Sequence, residues 1–381
     1  MVYFDHAATS FPKPRAVVDE MTKCMRFYCG NAGRGSHALA MAAAEKIYQC
    51  RTECADFFGS SHPENVIFTL NTTMALNTVI KGLLRPGDHV LISDMEHNAV
   101  LRPIVRLAQE GLIEYDIFST MIHDGGRSDV RICARLARLL KRNTRMVICN
   151  HASNICSVVQ PIKALGTFCR KRGILFVVDA AQSAGHLPID MEEMQIDALC
   201  APGHKGLLGP QGCGFFILRE GILPSPLIEG GSGLHSLDTQ MPQDPPERYE
   251  AGTLATPAIA GLLEGIREVG RLGIERLHEQ ECVKFRALRQ RLLRIPSVTV
   301  YAPDYEGSVL LFNKKGMPPD EMGRALDRLG FCVRVGYHCS ALGHKTLGTL
   351  SDGGGVRVSF GPYNTLQQLD ALADAVEGIH P

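Results

Sequence analysis

The sequence predicts an α/β protein: a large domain on a mainly parallel sheet covered by helices, followed by a smaller α+β domain toward the C-terminus. Three observations predict it. At 381 residues the chain is too long for one small core and suits a large domain with a smaller companion. Between about residues 64 and 219, short apolar runs alternate with helical patterns, as a sheet with crossover helices requires. Those runs are continuous rather than alternating, the mark of strands buried on both faces.

In chain order, the strand candidates are Asn65 to Thr69, His89 to Ser93, Met146 to Asn150, Ile174 to Val178 and Gly214 to Leu218. From Glu229 to Thr253 the chain is rich in Gly, Pro and charge, with Pro242-Gln243-Asp244-Pro245-Pro246 at its centre. It reads as a long exposed loop, a kind of segment that is often functional. Helices over Pro257 to Gly273 and Ile274 to Arg294 follow, then strands near Val298 to Tyr301, Ser308 to Phe312, Cys332 to Val335 and Val356 to Phe360, with a helix starting near Pro318. The last helix opens on Thr365-Leu366-Gln367-Gln368, a capping box.

Composition excludes several classes. A 45% hydrophobic and 21% charged chain is ordinary globular protein, neither disordered nor fibrous. Forty basic residues balance forty acidic ones without a Lys/Arg tract, so no nucleic-acid partner is expected. Met1-Val2-Tyr3-Phe4-Asp5 begins no basic-then-apolar leader, and 18 apolar residues never run together; the expectation is a cytoplasmic protein without a membrane partner. The thirteen cysteines form no C-x-x-C pair, so most read as small buried hydrophobes and no metal site is expected.

Five segments carry chemistry. The run Ile174-Leu175-Phe176-Val177-Val178-Asp179 ends abruptly in a carboxylate, where a parallel sheet places its ligands; as a helix N-cap Asp179 would read equally well. Asp197-Ala198-Leu199-Cys200-Ala201-Pro202-Gly203-His204-Lys205-Gly206 carries a lysine in a turn after an apolar strand, between glycines, where a solvated surface lysine has no reason to be. Such an amine can form a Schiff base, and an Asp partner for a pyridinium nitrogen is its recurring companion. Phe68-Thr69-Leu70-Asn71-Thr72-Thr73 leads into a helix from Met74 and can cradle a phosphate through amides and hydroxyls, or simply cap the helix. His97, just after the strand ending near Ser93, can stack on a planar group or merely bond within its loop. Gly336-Tyr337-His338-Cys339-Ser340 places a thiol in a polar turn; His338, Arg334 and His344 lie near in sequence and would favour a thiolate, against the plain reading of one more inert cysteine.

Together these residues resemble the class V, fold-type I pyridoxal phosphate enzymes, and among them the group II cysteine desulfurases and selenocysteine lyases. The match runs from Tyr3-Phe4-Asp5-His6-Ala7-Ala8-Thr9 through Arg34-Gly35-Ser36-His37, Glu96-His97-Asn98, Ser153-Asn154, Asp179 to Gln182, His204-Lys205, Arg248 to Thr253 and Arg334 to Cys339, ending at Gly355-Val356-Arg357-Val358-Ser359. The resemblance implies a large cofactor-binding domain over 16–255 and a small domain of 1–15 with 256–381 that carries the cysteine loop. It implies that Lys205 bears pyridoxal 5'-phosphate, Asp179 pairs with its pyridine nitrogen, His97 stacks on the ring and Gln182 reaches the phenolic oxygen. Thr72, Thr73 and His204, with Thr253 of the partner subunit, would hold the phosphate. Asn154 and Arg357, with Arg34 and His37 of their motif, would bind substrate. Lys205, His97 and Cys339 would be catalytic, Cys339 taking sulfur from L-cysteine as a persulfide and releasing L-alanine. A homodimer and a sulfur-acceptor protein are the implied partners.

Three departures stand out. Pro202 occupies a position where the family usually has Ser or Thr, Tyr337 replaces the first histidine of His-His-Cys, and Leu342 to Gly348 resembles a desulfurase-like branch of anaerobic bacteria. The alternatives are therefore a selenocysteine lyase or an aminotransferase on the same fold, since fold does not fix reaction type. A metal-binding or scaffold role lacks zinc spacing.

Overall fold

In the computed structural model, which describes residues 1–33, 35–121, 129–234 and 236–380, the chain runs β1 (Val2–Tyr3), α1 (Arg15–Phe27), α2 (Ala38–Phe57), β2 (Val66–Thr69), α3 (Thr72–Leu83), β3 (Asp88–Ser93), α4 (Asn98–Gln109), β4 (Ile113–Phe118), α5 (Asp129–Arg138), β5 (Thr144–Asn150), α6 (Ile162–Arg170), β6 (Leu175–Asp179), β7 (Ala198–Pro202) and β8 (Gly214–Leu218). Strands β2 to β8 form one seven-stranded sheet, order β2-β8-β7-β6-β5-β3-β4. All five residues of β6, β7 and β8 are buried, which is why each reads as an unbroken apolar run. The sheet is mixed: β8 runs antiparallel to both β2 and β7, while the remaining pairs are parallel.

Each face of the sheet has its own core. Leu76, Val79, Val100 and Ile104 of α3 and α4 cover one face, and Ile47, Cys54, Ile132 and Leu165 of α2, α5 and α6 cover the other. After an irregular stretch come α7 (Thr256–Leu272), α8 (Ile274–Leu293), β9 (Val298–Tyr301), β10 (Val309–Lys314), α9 (Pro319–Arg328), β11 (Phe331–Cys332), β12 (Arg334–Gly336), α10 (Ala341–Thr346), β13 (Gly355–Ser359) and α11 (Leu366–Gly378). An antiparallel sheet β12-β13-β10-β9 and its helices enclose a separate core that includes Phe4, and β1 pairs with β11. The first residues are thus threaded into the C-terminal unit. Helix α7 instead gives Ile259, Leu262, Leu263 and Ile266 to the large core, so by packing it lies with the large unit, one helix later than the expected boundary at 256. The Thr365 and Gln368 side chains form the expected capping box on α11.

Candidate active site

The carboxyl ends of β3, β5, β6 and β7 bring Ser93, Asn150, Asp179 and Pro202 side by side. Ligands of open α/β sheets gather at this edge. A cavity with about 540 Å³ of free space opens there, and its lining gathers Thr72, Thr73, His97, Asn154, Asp179, Gln182, His204 and Lys205. These residues come from five separate segments of sequence. Helix α3 begins at Thr72, two residues before the expected start, because the Asn71 side chain caps it by accepting the Met74 N–H at 2.9 Å. The amides of Thr72 and Thr73 are then first-turn donors with no acceptor inside the helix.

Burial sets the charges. Asp179 is buried and burial raises its pKa, while the Ala181 N–H, donating to Oδ1 at 2.9 Å, and the Lys205 charge pull it back down. Burial pushes the Lys205 ammonium down to about 8; Asp179 opposes the shift and Arg357 and Arg334 add to it. A useful fraction of free amine therefore exists near neutral pH. Burial, with Lys205 and then Arg334 close by, holds His97 at about 4. Its Nδ1 accepts the Ala99 N–H at 3.0 Å, so the neutral ring carries its proton on Nε2.

Glu96 is fully buried beneath this group. Its Oε1 accepts the Ser93 hydroxyl at 2.5 Å and the Asn150 N–H at 2.8 Å. Burial drives its pKa up to about 8, with Asp179 and Asp94 adding to the rise against those two donors. This rise favours the neutral form of Glu96, which spares Asp179 a neighbouring negative charge. A raised folded-state pKa in an acid gives stability that is complete below the ordinary value of 4.5 and is lost as pH rises toward 8. Glu96→Gln removes the titration. Denaturant midpoints measured from pH 5 to 9 should converge for the two proteins at pH 5, with the variant gaining a few kcal/mol relative to wild type by pH 8. Parallel pH profiles would show that Glu96 is charged throughout.

The cysteine loop meets the cavity from the C-terminal unit. The Asn98 N–H, adjacent to His97, donates to the Cys339 carbonyl at 2.8 Å, and Asn154 Nδ2 donates to the His338 carbonyl at 2.7 Å. Cys339 is exposed and so sits at the rim beside His97. His338 and Cys339 both have positive φ, 50° and 55°, an uncommon conformation for two successive non-glycine residues, worth about 1–3 kcal/mol of strain each. The expectation that His338 assists the thiol is corrected here. Its ring is buried and bonded to the Arg334 carbonyl and to His344, leaving no imidazole charge for Cys339.

Arg357 is buried, with Nη2 2.6 Å from Asp5 Oδ1 and Nη1 donating to the Asn154 carbonyl at 2.9 Å. Its Nε and the Asn154 Oδ1 are buried without a partner. Thr72 Oγ1 and His204 Nδ1, which line the cavity with Asn154, are likewise unpartnered. Buried polar atoms are nearly always satisfied, so a cavity lined by such orphans is shaped for a polar ligand. Hydroxyls and helix-start amides suit a phosphate, a neutral His suits a flat ring, and a lysine with a carboxylate suits a carbonyl-bearing pyridine. The residues present fit pyridoxal 5'-phosphate.

The profile of the aminotransferase class-V family matches residues 2–372. The chain belongs to the class-V aminotransferase family. It is 34% identical to a probable cysteine desulfurase of Methanothermobacter thermautotrophicus, covering 99% of this chain and 94% of that one. A probable cysteine desulfurase of Pyrococcus abyssi is 32% identical over the same shares of each chain. Among solved structures, the apo cysteine desulfurase of Thermococcus onnurineus superposes with a TM-score of 0.89 at 31% identity, covering 99% of this chain and 94% of that one. The Escherichia coli cysteine desulfurase CsdA gives 0.86 at 26% identity, with 98% and 93% covered. The mixed seven-stranded sheet is that of these fold-type I enzymes.

Four sequence candidates do not line the cavity: Arg357 and Cys339 stand beside it through their bonds to Asn154 and Asn98, and His37 and Thr253 lie apart from it in their own chain. His37 is exposed and caps α2, its Nδ1 accepting the Ala40 N–H at 3.3 Å. Thr253 is exposed on the long irregular stretch, its hydroxyl accepting from Asn31 Nδ2 at 3.3 Å. Arg34 lies outside the described residues. Gln182 lines the cavity, but its Nε2 donates to the Ala7 carbonyl at 2.9 Å, leaving Oε1 for other partners. Asp5, Asn150 and Glu96 were missed as site residues; Asp5 and Glu96 stand within the motifs quoted above, but Arg357 and Asn150, which they meet, lie far away in sequence.

Proposed function

We propose that this chain is a pyridoxal-phosphate-dependent cysteine desulfurase, converting L-cysteine to L-alanine and leaving the sulfur as a persulfide on Cys339. The observation that carries the reading is the joining of two units at one point: Lys205 and Asp179 in the cavity, and the Cys339 loop bonded to the start of α4 beside His97. Relatives named as cysteine desulfurases support it.

Lys205, Asp179, His97, Thr72, Thr73 and His204 would hold the cofactor, with Gln182 at its phenolic oxygen and Thr253 of the partner subunit at its phosphate. Once bound, the cofactor supplies an electron sink for the substrate's α-carbon. The other tasks belong to the chain. Arg357 and Asn154 would orient the substrate carboxylate, with Arg34 and His37 as further substrate-binding residues. Lys205 Nζ, largely deprotonated only above about pH 8 yet already partly free at pH 7, takes the α-proton. Cys339 Sγ, as thiolate, attacks the substrate sulfur; a sulfur–sulfur bond forms, the carbon–sulfur bond breaks, and its electron pair ends as a C–H bond of alanine.

Thr253 outside its own cavity, and the exposed Met25, Phe27, Met41 and Tyr48 on α1 and α2, support a homodimer as the active form. All thirteen cysteines are free thiols, which supports a reducing, cytoplasmic setting, and no helix among the described residues is long and apolar enough to cross a membrane. The emerging persulfide calls for an acceptor protein.

The test supplies L-cysteine and L-selenocysteine separately to the holoenzyme and quantifies alanine. Equimolar alanine and released or protein-bound sulfur from cysteine is expected. Movement of the amino group to an oxoacid would make the protein an aminotransferase; alanine from selenocysteine alone would make it a selenocysteine lyase.

A further inference from the structure

We infer that His344 and Thr349 are positioning residues for the Cys339 nucleophile, acting through His338. The inference rests on the reading of Cys339 as sulfur acceptor. Its ground is a closed chain of hydrogen bonds. His338 Nε2 lies 3.3 Å from the Arg334 carbonyl, His338 Nδ1 lies 3.2 Å from His344 Nε2, and His344 Nδ1 lies 2.6 Å from Thr349 Oγ1.

Only one assignment of protons satisfies all three contacts with neutral rings. A carbonyl oxygen only accepts, so His338 carries its proton on Nε2 and its Nδ1 is bare. His344 must then donate from Nε2, which leaves its own Nδ1 bare to accept the Thr349 hydroxyl. An extra proton on His338 would set two N–H groups against each other, and one on His344 would turn the Thr349 hydroxyl from the 2.6 Å contact to its longer alternative, the His344 carbonyl at 3.3 Å. Burial agrees, holding His338 at about 2 and His344 at about 4.

The chain is rigid at its far end. His344 and Thr349 are both fully buried, the Thr349 N–H donates to the His344 carbonyl at 3.0 Å, and the Thr349 carbonyl accepts the Gly354 N–H at 3.0 Å. The near end is where rigidity is needed. His338 and Cys339 hold consecutive left-handed backbone conformations, which relax unless the surroundings impose them. Asn154 and Asn98 fix the two carbonyls, and among the described residues the hydrogen bonds that hold the His338 ring are those of the imidazole chain, which thereby sets the direction in which the next residue projects. A thiol that must meet the substrate sulfur within a few tenths of an ångström depends on that direction.

Thr349→Val keeps the shape and removes the hydroxyl, leaving His344 Nδ1 without a donor. In the holoenzyme, kcat for alanine formation should fall about 10- to 100-fold. KM for cysteine should stay within about 2-fold, and iodoacetamide should alkylate Cys339, followed by mass spectrometry, no more slowly than in wild type. Thr349→Ser should restore kcat to within about 2-fold of wild type. His344→Leu should behave like Thr349→Val, whereas His344→Gln, whose amide can still donate to His338 Nδ1, should recover part of the loss. Nitrogen-15 NMR of the histidine rings at pH 7 should show His338 and His344 both neutral and protonated on Nε2. The inference fails if either ring is charged or carries its proton on Nδ1, if kcat is unchanged in both Thr349→Val and His344→Leu, or if Thr349→Ser fails to rescue. Those failures are distinct from failure of the functional reading, which would appear as full desulfurase activity in a protein lacking the Cys339 thiol.

Discussion

Lys205→Ala should abolish turnover, lowering kcat by at least about 10⁴-fold, because one side chain performs two tasks. Removing a positioned general base alone costs about 10² to 10⁴. Here the same amine is also the anchor for the cofactor, and its loss leaves Asp179 buried without the positive charge that now stabilises its ionised form. Two consequences can be read separately. Borohydride treatment of wild type, followed by digestion and mass mapping, should find the cofactor joined to Lys205 and to no other residue. The variant should take up cofactor only reversibly. Lys205→Arg should not rescue, since a guanidinium keeps the charge but cannot serve as a nucleophilic amine or a base at neutral pH. Attachment at another lysine, such as the half-buried Lys13 that donates to the His204 carbonyl at 2.9 Å, would overturn the assignment.

Much of this architecture was legible in the sequence, for physical reasons that also mark where legibility ended. Strands buried on both faces must be apolar throughout, so β3, β5, β6 and β8 were read almost to the residue. Strand β4, Ile-Glu-Tyr-Asp-Ile-Phe, lies at the sheet edge with its middle residues half-exposed or exposed, and it was missed. Strand direction leaves no trace in an apolar run, so the reversal of β8 was not foreseen. Lys205 and Asp179 stood out because each breaks the local rule for its place: a lysine between glycines after a buried strand, and a carboxylate closing five apolar residues. Asp5 did not. Its pairing with Arg357 spans nearly the whole chain and is made only when β1 joins the C-terminal unit. Proximity in sequence misled at His338, where neighbouring residues at positive φ turn the ring away from the thiol beside it. The raised pKa of Glu96 was likewise invisible, since it follows chiefly from burial rather than from adjacent residues.

Cys339→Ala should separate the two halves of the chemistry. The substitution touches the loop of the C-terminal unit, while Lys205, Asp179, the start of α3 and Arg357 keep their contacts. Cofactor content should therefore match wild type, and added L-cysteine should still change the cofactor's absorption, because binding and loss of the α-proton need only residues that remain. Alanine formation from cysteine should fall by roughly 10² to 10⁴, the range for losing a positioned catalytic group, and no persulfide should be found on the protein. The strain at Cys339 does not reverse this result, since alanine accepts positive φ no more readily than cysteine and the loop stays anchored through the backbone bonds to Asn98 and Asn154. L-selenocysteine supplies the contrast. A selenolate is the better leaving group, so alanine formation from it depends less on attack by a protein thiol and should be reduced far less. If instead the variant desulfurates cysteine at the wild-type rate, Cys339 is only a loop thiol, and the Lys205 site is that of a lyase or an aminotransferase.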